Sequence, residues 1–476
     1  MSTSIAKNTS FMTMASVGQK IIAFVYFALI ARHIGAEGTG TYFFALAYTT
    51  VFVVFVDMGF TNVMVREAAR VKDKLQLYFS TVLSVKILFG ILSYIAAVVI
   101  INLMGYGSEV KNLVYLSGVT MLFDSFHLSI YGTLRAIGDL RWESISLTGS
   151  QFLTLILGTI FLYAGLPIIF LILAFTISSL VNVCFAMFIA VYKYKLKLVP
   201  KFDRAIFFHF AKIAIPFALA AIFARVYSYI DSILLSRFLG NESVGWYSIA
   251  HKVTFAFQFI PLALVAAIYP RFSEYFVHDK KKLAYIFERS VKYLLLIAFP
   301  IAVGISLLSQ DLILLLFTEE YLKSILPLQI LITSLVFSFV SFPIGAFLNA
   351  SNRQVTQTTI VGTVMVVNII MNLLLIPHFG IIGAAISALV GNVLLALLGY
   401  LFVPKITKIS HLFLFKALLQ IMVASVTMGI LVYITNQYAH FIFAILTGVL
   451  VYPIMLFVTG AVNKKQLVEA LSLIKK

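Results

Sequence analysis

The chain has 476 residues, of which 62% are hydrophobic, and its mean hydropathy is +1.04. A soluble domain of this length does not need so much apolar surface, so the composition excludes a soluble enzyme and indicates a polytopic membrane protein. The net charge of +17 does not indicate nucleic-acid binding, because the charges lie mostly in short loops between apolar segments. The single cysteine, Cys184, excludes an intrachain disulfide and a cysteine-rich metal site.

Fourteen apolar segments are long enough to cross a hydrocarbon core of ~30 Å, which takes about 20 helical residues. In chain order they are predicted at 11–31, 41–62, 76–103, 112–134, 145–164, 167–191, 206–235, 244–269, 290–317, 325–350, 355–376, 380–403, 411–435 and 439–461. They predict an all-α membrane protein with about 14 transmembrane helices and both termini on one side.

Lysine and arginine are distributed unevenly between alternate loops. Twenty-four of the 35 lie in the termini and loops on the side of the N-terminus, and four lie in the loops of the other side. Because cytoplasmic loops carry the excess of positive charge, we expect both termini in the cytoplasm of a multi-pass protein of the cell membrane. One miscounted segment would destroy this separation, so it supports the count of fourteen.

One sequence pattern occurs twice, 205 residues apart. Its first copy, Arg32, Gly35, Glu37, Gly40, Tyr42 and Ala45, is matched by Arg237, Gly240, Glu242, Gly245, Tyr247 and Ala250. The same register places Lys20 opposite Arg225. An internal repeat in a membrane chain is typical of transporters built from two pseudo-symmetric halves with a site between them.

The repeat defines the predicted domains. Residues 1–192 form an N-terminal lobe of six helices, 193–205 a basic cytoplasmic linker, and 206–404 a C-terminal lobe of six helices. Residues 405–476 supply two further helices and a cytoplasmic tail. Six helices is an even number, so both lobes have the same orientation in the membrane.

Several ionisable residues lie within the apolar segments, where a charge is costly unless it faces a cavity or a partner. Ten of them are candidates for a functional role: Lys20, Asp57, Lys86, Asp124, Lys212, Arg225, Asp231, Lys252, Lys292 and Lys416. The excess of cations predicts an electropositive cavity that attracts anions. The predicted substrate-binding cations are Lys20, Arg225, Lys212, Lys86, Lys252 and Lys292. The acids Asp57, Asp124 and Asp231 are assigned to ion coupling or charge pairing.

Depth distinguishes Lys20 and Arg225 from the other cations. Lys20 precedes Arg32, at the predicted outer surface, by twelve residues, which is about 18 Å of helix and near the middle of the core. Arg225 has the same depth by the repeat, so the pair could flank one anionic group. Lys212, Lys86 and Lys416 could instead extend to the membrane surface or pair with another helix.

No catalytic constellation is present in the sequence. There is no GxxxxGK[ST] phosphate loop, no HExxH motif and no Cys–His cluster. The loops are also too short for a separate catalytic domain. We therefore expect neither an enzyme nor a metal site or other cofactor.

The first two segments carry a recognisable arrangement of residues. It consists of Leu29, Arg32, Gly35, Gly40 and Tyr42, then Asp57-Met58-Gly59-Phe60 and Arg66-Glu67. The chain resembles the polysaccharide (O-antigen type) flippases of the multidrug/oligosaccharidyl-lipid/polysaccharide exporter superfamily. The resemblance covers the whole length, with fourteen helices arranged as six, six and two.

The resemblance implies a flippase that moves a polyprenyl-(pyro)phosphate-linked oligosaccharide from the cytoplasmic to the outer leaflet by alternating access. It implies an H+ or Na+ gradient as the driving force. Expected partners are the glycan substrate, membrane lipids and enzymes such as a polysaccharide polymerase or glycosyltransferases, with no nucleic acid. Three alternatives stay open: a lipid II-type flippase, a cation-coupled multidrug antiporter and a membrane scaffold without transport activity.

Overall fold

The computed structural model describes residues 2–462, with side chains from residue 18 onward apart from 216. This part of the chain is helical and contains no β-strand. The predicted cytoplasmic tail beyond residue 462 lies outside the described residues. The helices are α1, Ser2–Asp57; α2, Phe60–Arg70; α3, Leu75–Leu103; α4, Ser108–Ile137; α5, Arg141–Tyr163; α6, Ile169–Phe188; α7, Arg204–Leu239; α8, Asn241–Ala256; α9, Phe259–His278; α10, Lys280–Leu307; α11, Ser309–Leu316; α12, Ile325–Ala350; α13, Gln354–Tyr400; α14, His411–Tyr438; and α15, Phe441–Val458.

The predicted fourteen crossings are confirmed. Twelve helical stretches of the described residues are long and apolar enough to span a membrane. Two of them, Gly18–Arg70 and Gln354–Lys405, are 53 and 52 residues long. At 1.5 Å per residue each extends about 80 Å, which is enough for two crossings. The fold is therefore an all-α polytopic membrane fold of fourteen transmembrane helices.

The longest helix in each of these two stretches, α1 and α13, is interrupted internally by one glycine. Gly35 in α1 has φ 68° and ψ −177°, and Gly380 in α13 has φ 59° and ψ −135°. A positive φ is unfavourable for residues with a Cβ, so glycine is the natural residue at both breaks. The breaks fall between predicted segments 1 and 2 and between segments 11 and 12, as expected for chain reversals at the membrane surface.

The predicted bounds of segments 8 and 9 are wrong. Segment 8 is divided between α8 and α9, because Pro261 has no N–H for the carbonyl of Phe257 and its ring crowds that group. The predicted loop 271–289 is helical except at Asp279, whose carboxylate caps α10 by accepting from the N–H groups of Lys281 and Lys282 at 3.0 Å. The hydrogen bond from Lys282 N–H holds the pKa of the Asp279 carboxyl below its ordinary value.

The chain divides into two compact units, residues 1–248 and 249 onward. In the first, large side chains of α2, α3, α4 and α7 share one core, with Phe60, Phe79, Tyr131 and Phe210 all at most 3% exposed. The first turns of α7 therefore pack on the N-terminal helices. The predicted lobes were defined by the sequence repeat, whereas these two units are defined by packing. The boundary between the lobes therefore stays a prediction.

The predicted linker between the lobes is held against α3. The Gln76 side chain donates to the Lys197 carbonyl at 2.8 Å and accepts from the Lys197 N–H at 2.9 Å. The Lys201 N–H donates to the Ser80 carbonyl at 3.2 Å. These hydrogen bonds pair backbone N–H and C=O groups of the loop that would otherwise form hydrogen bonds with water.

In the second unit, α14 and α15 pack together and against α10. Leu308, Met428, Val432 and Ala444 form a small core there. Almost all of α15 is at least partly exposed, with Ala444 its one residue in the buried core. Because its outward side chains are isoleucine, leucine and phenylalanine, this helix presents an apolar surface suited to lipid.

Candidate functional site

The two copies of the repeat adopt matching turns. Gly35 ends the first half of α1 with φ 68° and ψ −177°, and Gly240 ends α7 with φ 83° and ψ 174°. The next helical stretch begins directly after each glycine. The positive φ explains why this position of the pattern is glycine in both copies.

The two turns contact each other through backbone atoms. A Cβ on Gly40 would lie 1.7 Å from the carbonyl oxygen of Asn241, and a Cβ on Gly245 would lie 1.9 Å from that of Ala36. Ala36 and Asn241 are themselves equivalent in the repeat. Each glycine therefore lies against the residue four positions before the other glycine, as a pseudo-two-fold axis requires.

A chain of hydrogen bonds continues this contact. Tyr106 donates to Ser236 Oγ at 3.0 Å, and Ser236 donates to Asn241 Oδ1 at 2.6 Å. Asn241 Nδ2 then donates to Thr41 Oγ1 at 3.0 Å. The chain joins the α3–α4 loop, α7, α8 and α1 at the predicted outer end of these helices. We call the contact of Ala36, Gly40, Thr41, Asn241 and Gly245 the repeat contact.

The paired cations of the repeat are both exposed. Lys20 lies on α1 and Arg225 on α7, and Lys212, earlier on α7, is exposed as well. Exposed charges on membrane-spanning helices are stable where they face water or an ionic ligand.

Lys86 differs from these three cations because it is buried. Its side chain is 1% exposed, and Nζ lies 2.6 Å from Asp57 Oδ1. Nζ also donates to the carbonyl and hydroxyl oxygens of Ser125 at 2.8 and 3.1 Å, while Thr61 donates to Asp57. The sequence predicted either a cavity role for Lys86 or pairing with another helix, and in the structure it forms a buried ion pair with Asp57.

Asp124 lies at a small polar cavity inside the first unit. Asp124 Oδ1 accepts from Ser179 at 2.5 Å and lies 3.3 Å from His127 Nε2. The cavity has a volume of about 160 Å³, and Gln19, the neighbour of Lys20, also lines it. His127 is 4% exposed, and its Nδ1 has no hydrogen-bond partner among the described residues. The cavity could hold a few water molecules or a small cation.

The remaining predicted residues have separate surroundings. Asp231 is 5% exposed, accepts from the hydroxyl of Tyr247 and accepts from the Ser232 N–H at 2.9 Å. Tyr247 belongs to the repeat pattern, so this bond ties α7 to α8 beside the repeat contact. In the second unit, Lys252 is partly buried and Lys292 is 6% exposed.

Two features were not predicted from the sequence. The sequence repeat identified Gly40 and Gly245 but not the residues that they contact, Asn241 and Ala36. These two residues occupy equivalent positions of the repeat, which is the signal for a symmetric contact. His127 is not among the residues predicted from the sequence. Its spacing of three from Asp124 places both on one face of α4, which is the signal that sequence analysis missed.

Fourteen crossings, an internal repeat in mutual contact and charged groups within the spans define a polytopic membrane transporter. More narrowly, the chain belongs to the polysaccharide biosynthesis protein family, whose sequence model matches residues 5–276. A second model, described as MatE, matches residues 216–374. The family expected from the resemblance is thereby confirmed.

Individual relatives agree with this assignment. The chain is 26% identical over 430 residues to an uncharacterized membrane protein of Methanocaldococcus jannaschii, covering 83% of this chain and 82% of the relative. It is 24% identical to a putative O-antigen transporter of Shigella flexneri, covering 83% and 96%. The lipid II flippase MurJ in an inward closed conformation superposes with a TM-score of 0.77 at 22% identity, covering 93% and 97%. At that identity the likeness shows the fold alone.

Proposed function

We propose that the protein translocates a polyprenyl-(pyro)phosphate-linked oligosaccharide across the cell membrane for cell-surface polysaccharide synthesis. The observation that carries the proposal is the pair Lys20 and Arg225, two exposed cations at equivalent positions of the repeat. Cations of this kind would stabilise a phosphate group in a region of low dielectric, where an unpaired charge is costly. The name of the O-antigen transporter relative supports a glycan as cargo.

The lipid tail would stay in the bilayer while the phosphate and sugars pass through a cavity that opens to each side in turn. The excess of lysine and arginine on one side supports cytoplasmic termini. The direction of transport, towards the outer leaflet, is what the resemblance to the polysaccharide flippases implies. Enzymes that assemble or polymerise the glycan would be its functional partners, and their copurification with the full chain would test this.

Two rivals belong to the same superfamily. A multidrug antiporter for cationic drugs would be served by an acidic cavity, whereas α1 carries Lys20 and no acid between residues 18 and 36. A lipid II flippase also carries a polyprenyl pyrophosphate, so Lys20 and Arg225 would suit that cargo equally. Only the sugars separate it from the main proposal.

Replacing Lys20 or Arg225 by alanine is expected to slow flipping about tenfold or more. Each charged hydrogen bond to phosphate contributes about 1.5–3 kcal/mol, which corresponds to roughly 10- to 100-fold. The measurement is the flipping rate of a fluorescent polyprenyl diphosphate oligosaccharide in proteoliposomes. Transport of lipid II and of a cationic dye is measured in the same way for comparison.

Lys416→Ala is the matched control, because Lys416 is an exposed cation on α14 outside the proposed set. It should flip the substrate at the unmodified rate. Unchanged rates in Lys20→Ala, Arg225→Ala and their double variant would reject the paired cations. Transport of the dye in preference to both lipids would reject the glycan as cargo.

We also propose that an H+ or Na+ gradient drives transport and that Asp124 takes up the coupling ion. The 160 Å³ cavity, the 39% exposure of the Asp124 side chain and the unpartnered Nδ1 of His127 support this role. The ionised carboxylate of Asp124 carries one negative charge, so a bound cation would neutralise it inside the membrane.

Asp124→Asn is expected to abolish acceleration by an imposed gradient while flipping without a gradient persists. Proteoliposomes with separate H+ and Na+ gradients would identify the ion. Asp73→Asn, in the exposed turn between α2 and α3, is the control and should keep the acceleration. If Asp124→Asn responds to both gradients as the unmodified protein does, the coupling site lies elsewhere.

A further inference from the structure

A second cavity lies in the second unit, between α10, α12, α13 and α14. It has a volume of about 390 Å³ and an apolar lining that includes Val291, Leu295, Val336 and Leu414. Phe415 and Leu397, also in the lining, are 58% and 55% exposed. The cavity therefore opens on the outer surface of the helices, where a membrane would supply lipid chains.

Two cations of α10 lie near this cavity, grouped around Phe413, the chain neighbour of the lining residue Leu414. The Arg289 guanidinium lies 5.3 Å and Lys292 Nζ 5.7 Å from the centre of the Phe413 ring. Val291, Lys292 and Leu295 occupy neighbouring positions on one side of α10, so the cation adjoins the apolar lining. Two like charges thus converge on one aromatic ring next to a cavity.

Nothing in the described part of the chain neutralises Lys292. It is 6% exposed, yet no described carboxylate lies within the 4.0 Å that defines an ion pair with its Nζ. Glu288, one turn earlier on α10, instead accepts from the Ser410 N–H at 2.6 Å. His411 Nδ1 and the Tyr400 hydroxyl, 2.7 Å apart, satisfy each other. An ammonium group this buried is costly without an acidic partner, so a bound anion would stabilise it.

We propose that this cavity binds an anionic membrane phospholipid, with one acyl chain between α10 and α14 and the phosphate at Lys292 and Arg289. The combination of an apolar slot and two nearby cations matches a phospholipid and no soluble anion. The site lies at the end of α10 predicted to be cytoplasmic, where the leaflet is rich in anionic lipid and each basic residue contributes about 1 kcal/mol. The proposal concerns binding and does not depend on the transported cargo.

Tryptophan quenching by brominated lipids tests the site in the full chain. Phe415→Trp places a reporter in the lining, and its signal is the difference from the parent protein, which has Trp142 and Trp246. In nanodiscs, phosphatidylglycerol with brominated acyl chains should quench this signal at lower mole fraction than brominated phosphatidylcholine.

Arg289→Gln with Lys292→Gln should weaken the apparent affinity for phosphatidylglycerol about fivefold per cation removed. The matched control is Lys281→Gln with Lys282→Gln, which removes two exposed charges from the same end of α10 and should leave the affinity unchanged. Native mass spectrometry tests the same site without the tryptophan reporter. The unmodified protein and the control variant should retain phosphatidylglycerol, and the variant with Arg289→Gln and Lys292→Gln should lose it.

Equal quenching by the two lipids, or equal affinity loss in both double variants, would overturn the proposal. Undecaprenyl phosphate is the competitor that separates a membrane lipid from the carrier of the cargo. If it displaces phosphatidylglycerol at a tenfold lower mole fraction, the site belongs to the cargo and the proposal fails. Displacement only at equal or higher mole fraction supports a phospholipid site.

Discussion

A disulfide between residues 41 and 241 is expected to stop flipping, and its reduction is expected to restore it. Asn241 Nδ2 lies 3.0 Å from Thr41 Oγ1, so Thr41→Cys and Asn241→Cys would place two thiols on neighbouring side chains. The native Cys184 is exposed and is replaced by serine to prevent side reactions. The bond would hold the two copies of the repeat together at the predicted outer end.

The physical reason is the tightness of the repeat contact. The backbones of Gly40 and Asn241 are too close for any side chain to pass between them, and the same holds at Gly245 and Ala36. The outward opening proposed for transport would require these turns to separate. The measurement is the flipping rate in proteoliposomes before and after a reductant, with the oxidised fraction determined on the same samples.

A second cysteine pair controls for oxidation and loss of flexibility. The hydroxyl oxygens of Thr49 and Ser117 lie 2.7 Å apart. Both residues belong to the predicted N-terminal lobe, Thr49 on α1 and Ser117 on α4. Their disulfide should form as readily and leave flipping intact. Full activity of a completely oxidised 41–241 sample would show that the turns stay together during transport, and the proposed outward passage would then be wrong.

The repeat shows what the sequence could and could not predict. Hydropathy and loop charge were enough for the fourteen crossings, because both reflect transfer between water and lipid, which acts on each segment separately. Gly35 and Gly40 could be recognised from the sequence because Gly240 and Gly245 are identical to them at a spacing of 205 residues. The contact between the two copies could not be recognised, because a backbone approach depends on how helices far apart in the chain pack together.

Charges within the spans were harder to interpret for a related reason. The sequence shows that Lys86 is in an apolar segment. The free-energy cost of burying its charge, however, depends on whether another helix supplies a partner. Asp57 lies 29 residues earlier, and only the packing of α1 against α3 brings the two within 2.6 Å. Lys20 and Arg225 also lie in apolar segments but are exposed, so burial separates a structural ion pair from candidate ligands.

Removal of one member of the Asp57–Lys86 pair is expected to destabilise the protein strongly and unequally. Breaking a buried pair costs about 3–5 kcal/mol because the remaining charge has no partner. Asp57→Asn should be the more damaging change, since it leaves Lys86, 1% exposed, with only the neutral oxygens of Ser125. Lys86→Met leaves Asp57, which is 27% exposed and keeps the hydrogen bond from Thr61.

The double variant Asp57→Asn/Lys86→Met should recover most of the lost stability, because no unpaired charge then remains in the interior. The measurement is the midpoint of thermal unfolding in detergent for the two single variants and the double. Lys282→Met is the control: its pair with Asp279 is exposed at 65% and 34%, so the loss should stay below about 1 kcal/mol. Additive losses in the double variant would mean that the two side chains contribute independently, in which case Lys86 would have to be reconsidered as a ligand of the cargo.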